Sequence, residues 1–199
     1  MADATSEATA DTATRILDSA ERLVQSRGFN GFSYADVAAE LGITKASLHY
    51  HFASKAELGR ALVERYAAGF AAALAEIDAG DGGAPAKLDA YARIYGDVLR
   101  ERRLCLCGML AADYDTLSAP MRGAVVRFFD DNEQWATRVL SEGQADGTLH
   151  LEGSPRETAQ ALVSGLEGAM LIARPYGEIE RFEASAGQLL AGLAGVRAR

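Results

Sequence analysis

The chain has 199 residues, 49% of them hydrophobic, so it can bury a sizeable core in one or two domains. Its formal net charge of −8 disfavours a broadly basic nucleic-acid binder, and its two cysteines are expected to stay reduced. Neither a signal peptide nor a membrane span is recognisable, so we expect a cytoplasmic protein that does not bind membranes.

The N-terminal segment is small, polar and acidic, and we expect residues 1–13 to form a disordered arm. Charge is distributed unevenly after it. Residues 14–60 hold six Lys and Arg against five Asp and Glu, whereas residues 61–199 hold fourteen against twenty. Any contact with a nucleic acid must therefore be a small local patch in the first third of the chain.

Residues 33–55 predict two short helices joined by a tight glycine turn. Ser33 and Asp36 have the spacing of a capping box at the start of the first helix. Gly42 stands where a helix C-terminus favours the left-handed conformation, and Thr44 can cap the next helix. Two short helices with such a connection are typical of a helix-turn-helix motif.

The second of these helices has an apolar inner face and a polar outer face. Leu48 and Phe52 lie four residues apart and are predicted to face inward. The side chains left on the other side are Lys45, Ser47, His49 and Tyr50. A polar, aromatic and basic outer face is typical of a recognition helix that enters the major groove of DNA.

Residues 42–55 resemble the recognition-helix signature of the TetR family of bacterial transcriptional regulators; they read Gly-Ile-Thr-Lys-Ala-Ser-Leu-His-Tyr-His-Phe-Ala-Ser-Lys. Residues 15–29 are similar to the family's first helix and the glycine turn after it, and residues 107–131 resemble one group of its members. One departure matters. His49 stands where the common pattern has Tyr, and the aromatic residue is shifted to Tyr50, so the base preference of other members does not carry over.

The resemblance implies an all-α fold with two parts: an N-terminal three-helix, helix-turn-helix DNA-binding head (residues 14–60) and a C-terminal helical ligand-binding and dimerisation body (residues 61–199). It also implies roles for matched positions, with phosphate contacts at the ends of the motif and base contacts along its second helix. The predicted DNA-binding residues are Ser33, Tyr34, Thr44, Lys45, Ser47, His49, Tyr50, His51 and Lys55. Helix capping alone would also explain Ser33 and Thr44, and His51 could be purely structural.

Helices are predicted throughout the rest of the chain. Ser54 and Glu57 form a capping box that opens a connector helix, and a glycine-rich break follows. Ser154 and Glu157, with proline at the first helical position, mark another helix start. The predicted ranges are about 54–77, 85–103, 104–114, 118–143, 154–174 and 178–196.

The final two predicted helices hold more apolar surface than one small body needs. Gly165 and Gly168 add a strip of small residues that lets helices approach closely. One hypothesis is a two-fold homodimer interface of two helices from each copy; the alternative is an intramolecular core. The predicted interface residues are Leu162, Gly165, Leu166, Ala169, Phe182, Leu189 and Leu193.

Aromatic side chains recur along three consecutive predicted helices between residues 85 and 135. The resemblance implies that a small apolar or amphipathic effector, of unknown identity, binds inside such a body, with tyrosine hydroxyls orienting it. Ordinary core packing would explain the same pattern. The effector-binding candidates are Tyr91, Tyr95, Cys107, Met109, Tyr114, Phe128 and Trp135.

Cys105 and Cys107 lie two residues apart, which on a helix turns their side chains about 200° from each other. They make a poor disulfide and a poor metal pair. Arginines just upstream could lower the pKa of one thiol, so an alternative function is an oxidant or electrophile sensor that uses Cys105 or Cys107. Simple burial of both thiols is the competing interpretation.

The sequence contains no phosphate-binding glycine loop, nucleophile elbow or zinc-spaced cluster. We therefore predict no catalytic residue, no metal, no cofactor and no enzyme activity. The function predicted is a DNA-binding transcriptional regulator: a homodimeric repressor that a small-molecule effector releases from a pseudo-palindromic double-stranded DNA operator. An alternative from another class is a helical protein-interaction module without specific DNA binding.

Overall fold

The structure, a computed structural model, describes the backbone of residues 2–194 and the side chains of residues 11–194. Over this range it is all-α, which confirms the predicted class, and no described helix is both long and apolar enough to cross a membrane. The α-helices are α1 Ala2–Arg27, α2 Tyr34–Leu41, α3 Lys45–His51, α4 Lys55–Ala79, α5 Ala84–Arg100, α6 Leu106–Ala112, α7 Ala119–Ala145, α8 Pro155–Ala173 and α9 Ile179–Ala191. One-turn 3-10 helices follow α6 (Tyr114–Thr116) and α8 (Arg174–Tyr176).

The first helix begins well before the point that the sequence predicted. We expected a disordered arm over residues 1–13, but α1 begins at Ala2. Five of residues 2–13 are alanine, the residue with the highest helix propensity, which favours continuation of the helix toward the N-terminus. At the other end of the chain, the predicted end of the last helix at residue 196 lies outside the described residues.

The chain forms two compact units whose bounds differ from the predicted domains. Residues 1–67 and 106–125 form the first, here called the head unit, and residues 68–105 and 126–199 form the second, the body unit. The predicted boundary after residue 60 assigned all later residues to the body. The structure instead places α6 and the first turns of α7 with the head, because they pack on it.

Close packing at Gly59 explains why the start of α7 belongs to the head unit. Gly59 of α4 is buried, and a Cβ atom there would lie 2.5 Å from Cε of Met121 and 2.8 Å from Cε2 of Phe29. The absence of a side chain at Gly59 therefore lets α7 and the turn after α1 approach α4. The most deeply buried side chains of this unit include the aliphatic residues Ile16, Ala20, Val24, Val37, Leu48, Leu58 and Leu62, each with at most 1% of its surface exposed.

The body unit is built around aromatic rings from three helices. Phe70 of α4, Tyr91 and Tyr95 of α5, and Phe128 of α7 are buried and meet edge to face, with ring centroids 5.2–6.1 Å apart. Such contacts add to the free energy gained by burying the rings themselves. Asp78 at the end of α4 holds α7 in place by accepting hydrogen bonds from Trp135 (3.1 Å) and Arg138 (2.5 Å).

Helices α8 and α9 pack on each other within one copy of the chain. Leu162, Leu166 and Phe182 are buried there, so these three predicted interface residues lie inside the protomer. A Cβ atom at Gly165 would lie 2.8 Å from Cδ1 of Leu189, so this glycine serves the close approach of α8 to α9. The two helices therefore form part of an intramolecular core, because their apolar stripes face each other.

Candidate nucleic-acid interface

The α2–turn–α3 segment forms as its sequence predicted, through local hydrogen bonds. The backbone N–H and the hydroxyl of Ser33 both donate to Oδ2 of Asp36, at 2.7 and 2.6 Å, and the hydroxyl contact holds the pKa of that carboxyl below its ordinary value. Gly42 adopts the left-handed conformation with φ of 66°, and Oγ1 of Thr44 accepts from the N–H of Ser47 at 3.1 Å. The predicted caps and the glycine turn are confirmed.

The two faces of α3 differ sharply in exposure. Leu48 is fully buried and Phe52 is 7% exposed, so the predicted inner face is confirmed. On the other side Lys45 and His49 are exposed, Ser47 is half-buried, and Tyr50 is 78% exposed. The ring of His51, which is half-buried, meets the ring of Tyr50 edge to face at 5.2 Å.

Tyr34 ties α2 to the end of α3. Its hydroxyl donates to the carbonyl oxygen of Phe52 at 2.9 Å, and its ring lies 4.8 Å from the ring of His49. Burial, together with the nearby carboxylate of Glu57, raises the pKa of Tyr34 to about 12, so the hydroxyl keeps the proton that it donates. A phosphate contact that requires this proton would break the bond to Phe52. Nδ1 of His49 lies 3.2 Å from the carbonyl oxygen of Ala53, which leaves Nε2 as its outward-facing donor or acceptor.

Lys55 has a structural role that the sequence did not predict. Its ammonium donates to the carbonyl oxygens of Phe29 (2.6 Å) and Phe32 (2.5 Å) and lies over both rings, 4.7 and 4.3 Å from their centroids. Burial lowers the pKa of Lys55, while Asp113 and Asp36 act in the opposite direction. The side chain stabilises the turn between α1 and α2, so two of its three donors are not available to the predicted phosphate contact.

A shallow cleft of about 370 Å³ gathers several predicted DNA-binding residues on one side of the head unit. It is lined by Phe32, Ser33, Tyr34, Ala35, Lys45, His49 and Lys55. Thr44, Ser47, Tyr50 and His51 are not part of this lining. The structure thus brings together the start of α2 and the outer face of α3, with Tyr50 standing out beside them.

Asp113, which follows α6, is a structural residue of the head that sequence reasoning missed. Its carboxylate accepts from the backbone N–H of Phe29 at 2.7 Å and from Nδ2 of Asn30 at 3.1 Å. Nδ2 of Asn30 also donates to Oγ1 of Thr116 at 2.9 Å. These residues are more than eighty positions apart in the chain, so no local sequence signal marks the contact.

The predicted effector residues separate into two groups. Tyr91, Tyr95, Phe128 and Trp135 lie in the aromatic core of the body unit, where Trp135 is 5.2 Å from Tyr91. Cys107, Met109 and Tyr114 belong to the head unit and not to the unit that contains this cluster. Both cysteines are unbridged and buried, Cys105 with 1% and Cys107 with 0% of its surface exposed. Among the described residues, no group of His, Cys, Asp or Glu is arranged to hold a metal ion.

Comparison with known proteins agrees with this architecture. The TetR-family model of bacterial regulatory proteins matches residues 16–62, and that of the tetracyclin repressor-like C-terminal domain matches residues 84–188. A TetR-family transcriptional regulator from Agrobacterium tumefaciens has a crystal structure that is similar with a TM-score of 0.90; it is 32% identical, and the match covers 94% of this chain and 100% of that one.

Two named regulators are also similar over most of the chain. The transcriptional repressor NemR of Escherichia coli is 28% identical over 180 residues, 87% of this chain and 89% of NemR, and the crystal structure of its reduced form gives a TM-score of 0.80. The transcriptional regulator AcuR of Cereibacter sphaeroides is 28% identical over 152 residues, 74% of this chain and 69% of AcuR. All three of these relatives are transcriptional regulators. The chain belongs to the TetR family and is a DNA-binding transcriptional regulator.

Proposed function

We propose that this regulator is a homodimeric repressor of the bacterial cytoplasm, which binds a pseudo-palindromic operator with α3 of each copy and leaves it when a small-molecule effector binds the body. The proposed DNA binding rests on one observation: the outer face of α3 presents a basic and an aromatic side chain to solvent. NemR, a relative of similar length, is a repressor, which favours repression over activation.

Lys45 and Tyr50 are the residues best suited to contact DNA. Lys45 makes no ion pair with any described residue, so its ammonium can donate to a phosphate or to O6 and N7 of guanine. Tyr50 exposes 78% of its surface, and its phenol can donate to the backbone or pack against it. Nε2 of His49 and the hydroxyl of Ser47 lie on the same helix and can complete the contact.

We place the dimer interface on the solvent-facing side of α8. Leu171 and Ile172 are 59% and 58% exposed, and Gly168, one turn earlier, is exposed too. This apolar strip suits a self-complementary, two-fold contact. Of the interface residues that the sequence predicted, Ala169, Leu189 and Leu193 are half-buried and can border such a contact, whereas the buried Leu162, Leu166 and Phe182 would support it from within.

The aromatic cluster of the body unit is the proposed effector site. An effector acts only if it binds the DNA-incompetent state more tightly than the competent one. Helices α4 and α7 each run from one unit into the other, so they can carry such a change. Within the head unit, the hydrogen bonds of Asp113 fasten the segment after α6 to the turn that precedes α2.

The direct test of the proposal is operator binding. Fluorescence anisotropy of the reduced protein against DNA from immediately upstream of its own gene, at two salt concentrations, should show tight binding that survives competitor DNA. Because the basic patch is small, affinity should fall only modestly with salt. Weak and sequence-blind binding would argue against autoregulation, and a selection from random duplexes would then decide whether any specific operator exists.

Thiol sensing is the second candidate function, and one contact favours it. The thiol of Cys105 hydrogen-bonds to the carboxylate of Glu167, a group that could accept its proton. The burial of both cysteines opposes it, because an oxidant or electrophile must reach the sulfur. Alkylation of the reduced protein separates the two cases: an unchanged operator affinity eliminates the sensor.

A further inference from the structure

The imidazole ring of His49 is held in place at the end of α3. Its Nδ1 lies 3.2 Å from the carbonyl oxygen of Ala53, just after the helix, and its ring packs 4.8 Å from the ring of Tyr34 on α2. Tyr34 is itself fixed by the hydrogen bond to the carbonyl oxygen of Phe52. Carbonyl groups at the end of a helix lack partners within that helix. His49 and Tyr34 therefore serve two consecutive carbonyls, and this role orients the imidazole.

The contact with Ala53 decides which ring nitrogen of His49 carries the proton. A carbonyl oxygen only accepts hydrogen bonds, so Nδ1 must be the donor. In a neutral imidazole one nitrogen donates and the other accepts, so Nε2 is left as an acceptor. No described residue forms a hydrogen bond with Nε2, and the side chain is exposed. The outer face of α3 therefore offers a hydrogen-bond acceptor whose identity is fixed by the fold.

Lys45 gives the same face of α3 the opposite character. It lies four residues before His49, on the same side of the helix, and both line the shallow cleft of the head unit. An ammonium only donates, so Lys45 suits O6 and N7 of guanine or a phosphate. An acceptor needs a donor, and the donors in the major groove are the exocyclic amines, N6 of adenine and N4 of cytosine. His49 can therefore select bases that Lys45 cannot.

We propose that His49 determines part of the operator sequence: its Nε2 accepts a hydrogen bond from the exocyclic amine of an adenine or a cytosine on one strand of each half-site. Guanine or thymine at that place would set a carbonyl oxygen against the lone pair of Nε2, so both are disfavoured. This inference rests on the proposed role of α3 and adds a base preference to it. A histidine that only capped α3 would affect binding to all sequences alike.

The first measurement is the tautomer of His49 in the whole chain without DNA, at about pH 8, where an ordinary imidazole is neutral. Two-bond proton–nitrogen NMR correlations distinguish a proton on Nδ1 from a proton on Nε2. The signal that is missing from the His49→Ala variant identifies this residue among the three histidines. We expect the proton on Nδ1. A proton on Nε2, or an equal mixture of the two forms, would overturn the inference.

The second measurement locates the base contact. A selection from random duplexes by the unmodified protein supplies the half-site. Each adenine or cytosine of the half-site is then replaced, one at a time, by an analogue without the exocyclic amine: purine for adenine, 2-pyrimidinone for cytosine. Fluorescence anisotropy should show that one replacement weakens binding by about threefold to tenfold, the loss expected for a single hydrogen bond. The same replacement should weaken binding of the His49→Ala variant by less than about twofold.

Two further variants separate the base contact from the structural role of His49. His49→Phe keeps a ring against Tyr34 but has no acceptor, so it should be as insensitive to the replacement as His49→Ala. His51→Ala removes an imidazole from the same helix but outside the cleft, and it should keep the sensitivity of the unmodified protein. The inference is overturned if no replacement weakens binding of the unmodified protein by more than about twofold, or if His49→Phe keeps the full loss.

The selection also distinguishes failure of this inference from failure of the proposed function. A specific operator whose binding does not depend on any exocyclic amine would overturn only the base preference of His49. A selection that returns no specific sequence would overturn operator recognition itself, and the base preference with it.

Discussion

The ammonium of Lys45 and the phenol of Tyr50 form no hydrogen bond with any described residue, whereas other polar groups of the head are already engaged. Lys55 donates to two backbone carbonyls and Tyr34 donates to a third. Side chains used in this way position the recognition helix and have less capacity left for DNA. Lys45 and Tyr50 should therefore contribute most of the free energy of operator recognition.

Lys45→Ala and Tyr50→Ala should each weaken operator binding by about 1–3 kcal/mol, the usual range for one good base or phosphate contact. Fluorescence anisotropy against the operator measures both. Arg127→Ala is the charge-matched control, because Arg127 is exposed on α7 in the body unit. Unchanged affinity in both α3 variants would mean that another face of the head reads the DNA.

The Glu167→Gln variant should be more stable than the wild-type protein at alkaline pH, and this difference in stability should disappear in acid. Burial raises the pKa of Glu167 to about 7, from an unfolded value of 4.5, although the hydrogen bond from Cys105 lowers it. Below about pH 4.5 the carboxyl is protonated in both the folded and the unfolded state. Between about pH 4.5 and 7 only the unfolded chain loses this proton, so the free energy of unfolding of the wild-type protein falls by up to about 3 kcal/mol.

Urea unfolding of both proteins across this pH range measures the difference in the free energy of unfolding. The advantage of Glu167→Gln should grow as the pH rises and level off above about 7. A difference that does not depend on pH would show that the carboxyl titrates normally in the folded protein.

Arg102→Gly should raise the free energy of unfolding by about 1 kcal/mol. Arg102 is a non-glycine residue with φ of 59°, and it lies in the turn that ends α5. In this turn the N–H of Arg102 donates to the carbonyl oxygen of Leu99, and the N–H of Arg103 donates to the carbonyl oxygen of Val98. Arg102→Ala retains the strained Cβ atom and is the control. If thermal melting shows no gain of the glycine variant over the alanine variant, the backbone there is not strained.

Among the elements, the segment after α6 determines where the head unit ends. Asp113 and Thr116 bind the turn that follows α1, where Gly28 has φ of 81° and a Cβ atom would lie 3.0 Å from Oδ2 of Asp113. Lys55 binds carbonyl oxygens of the same turn. The turn before α2 is therefore fixed by α4 and by the segment after α6 together.

Asp113→Ala should lower the free energy of unfolding by about 2 kcal/mol, because it removes hydrogen bonds to a charged acceptor and leaves the N–H of Phe29 without its partner. Asp115→Ala changes an exposed aspartate of the same segment and should cost little. A double-mutant cycle with Asn30→Ala isolates the contact between the two side chains. Equal effects of Asp113→Ala and Asp115→Ala would contradict the proposed role of Asp113.

Local features of the fold could be predicted, and distant ones could not. The cap at Ser33, the left-handed Gly42 and the cap at Thr44 depend on residues within four positions, so the sequence reveals them directly. The partners of Lys55 and Asp113 are distant in sequence, and most of them are backbone groups, which carry no residue signature. Glu167 was missed because an apolar stripe surrounds it on α8, and periodicity alone does not reveal a buried carboxylate.

At the scale of the whole molecule, the two heads of the proposed homodimer would compensate for the weak basic charge of each. Ion pairs neutralise part of the head's arginine charge, since Arg22 pairs with Glu40 and Arg65 pairs with Asp18 and Glu21. A chain with net charge −8 would bind DNA weakly without sequence recognition. Two-fold symmetry would place two copies of α3 on successive major grooves, which supplies affinity and specificity together.

Leu171→Glu should convert the proposed dimer into a folded monomer, because it places a charge in the centre of the apolar strip of α8. Analytical ultracentrifugation measures the assembly and circular dichroism the helix content. Val126→Glu makes the same change at an exposed valine of α7 and should leave the dimer intact. A Leu171→Glu variant that remains dimeric would place the interface elsewhere.

The central claim, that this protein is a repressor that reads its operator through α3, is tested most directly by comparing the unmodified protein with the Lys45→Ala/Tyr50→Ala double variant. Anisotropy is measured on DNA upstream of the protein's gene with competitor present, and ultracentrifugation confirms that both proteins have the same assembly. We predict tight, competitor-resistant binding by the unmodified protein and only weak, sequence-blind binding by the double variant. Equal binding by the two proteins, or sequence-blind binding by both, would contradict the claim.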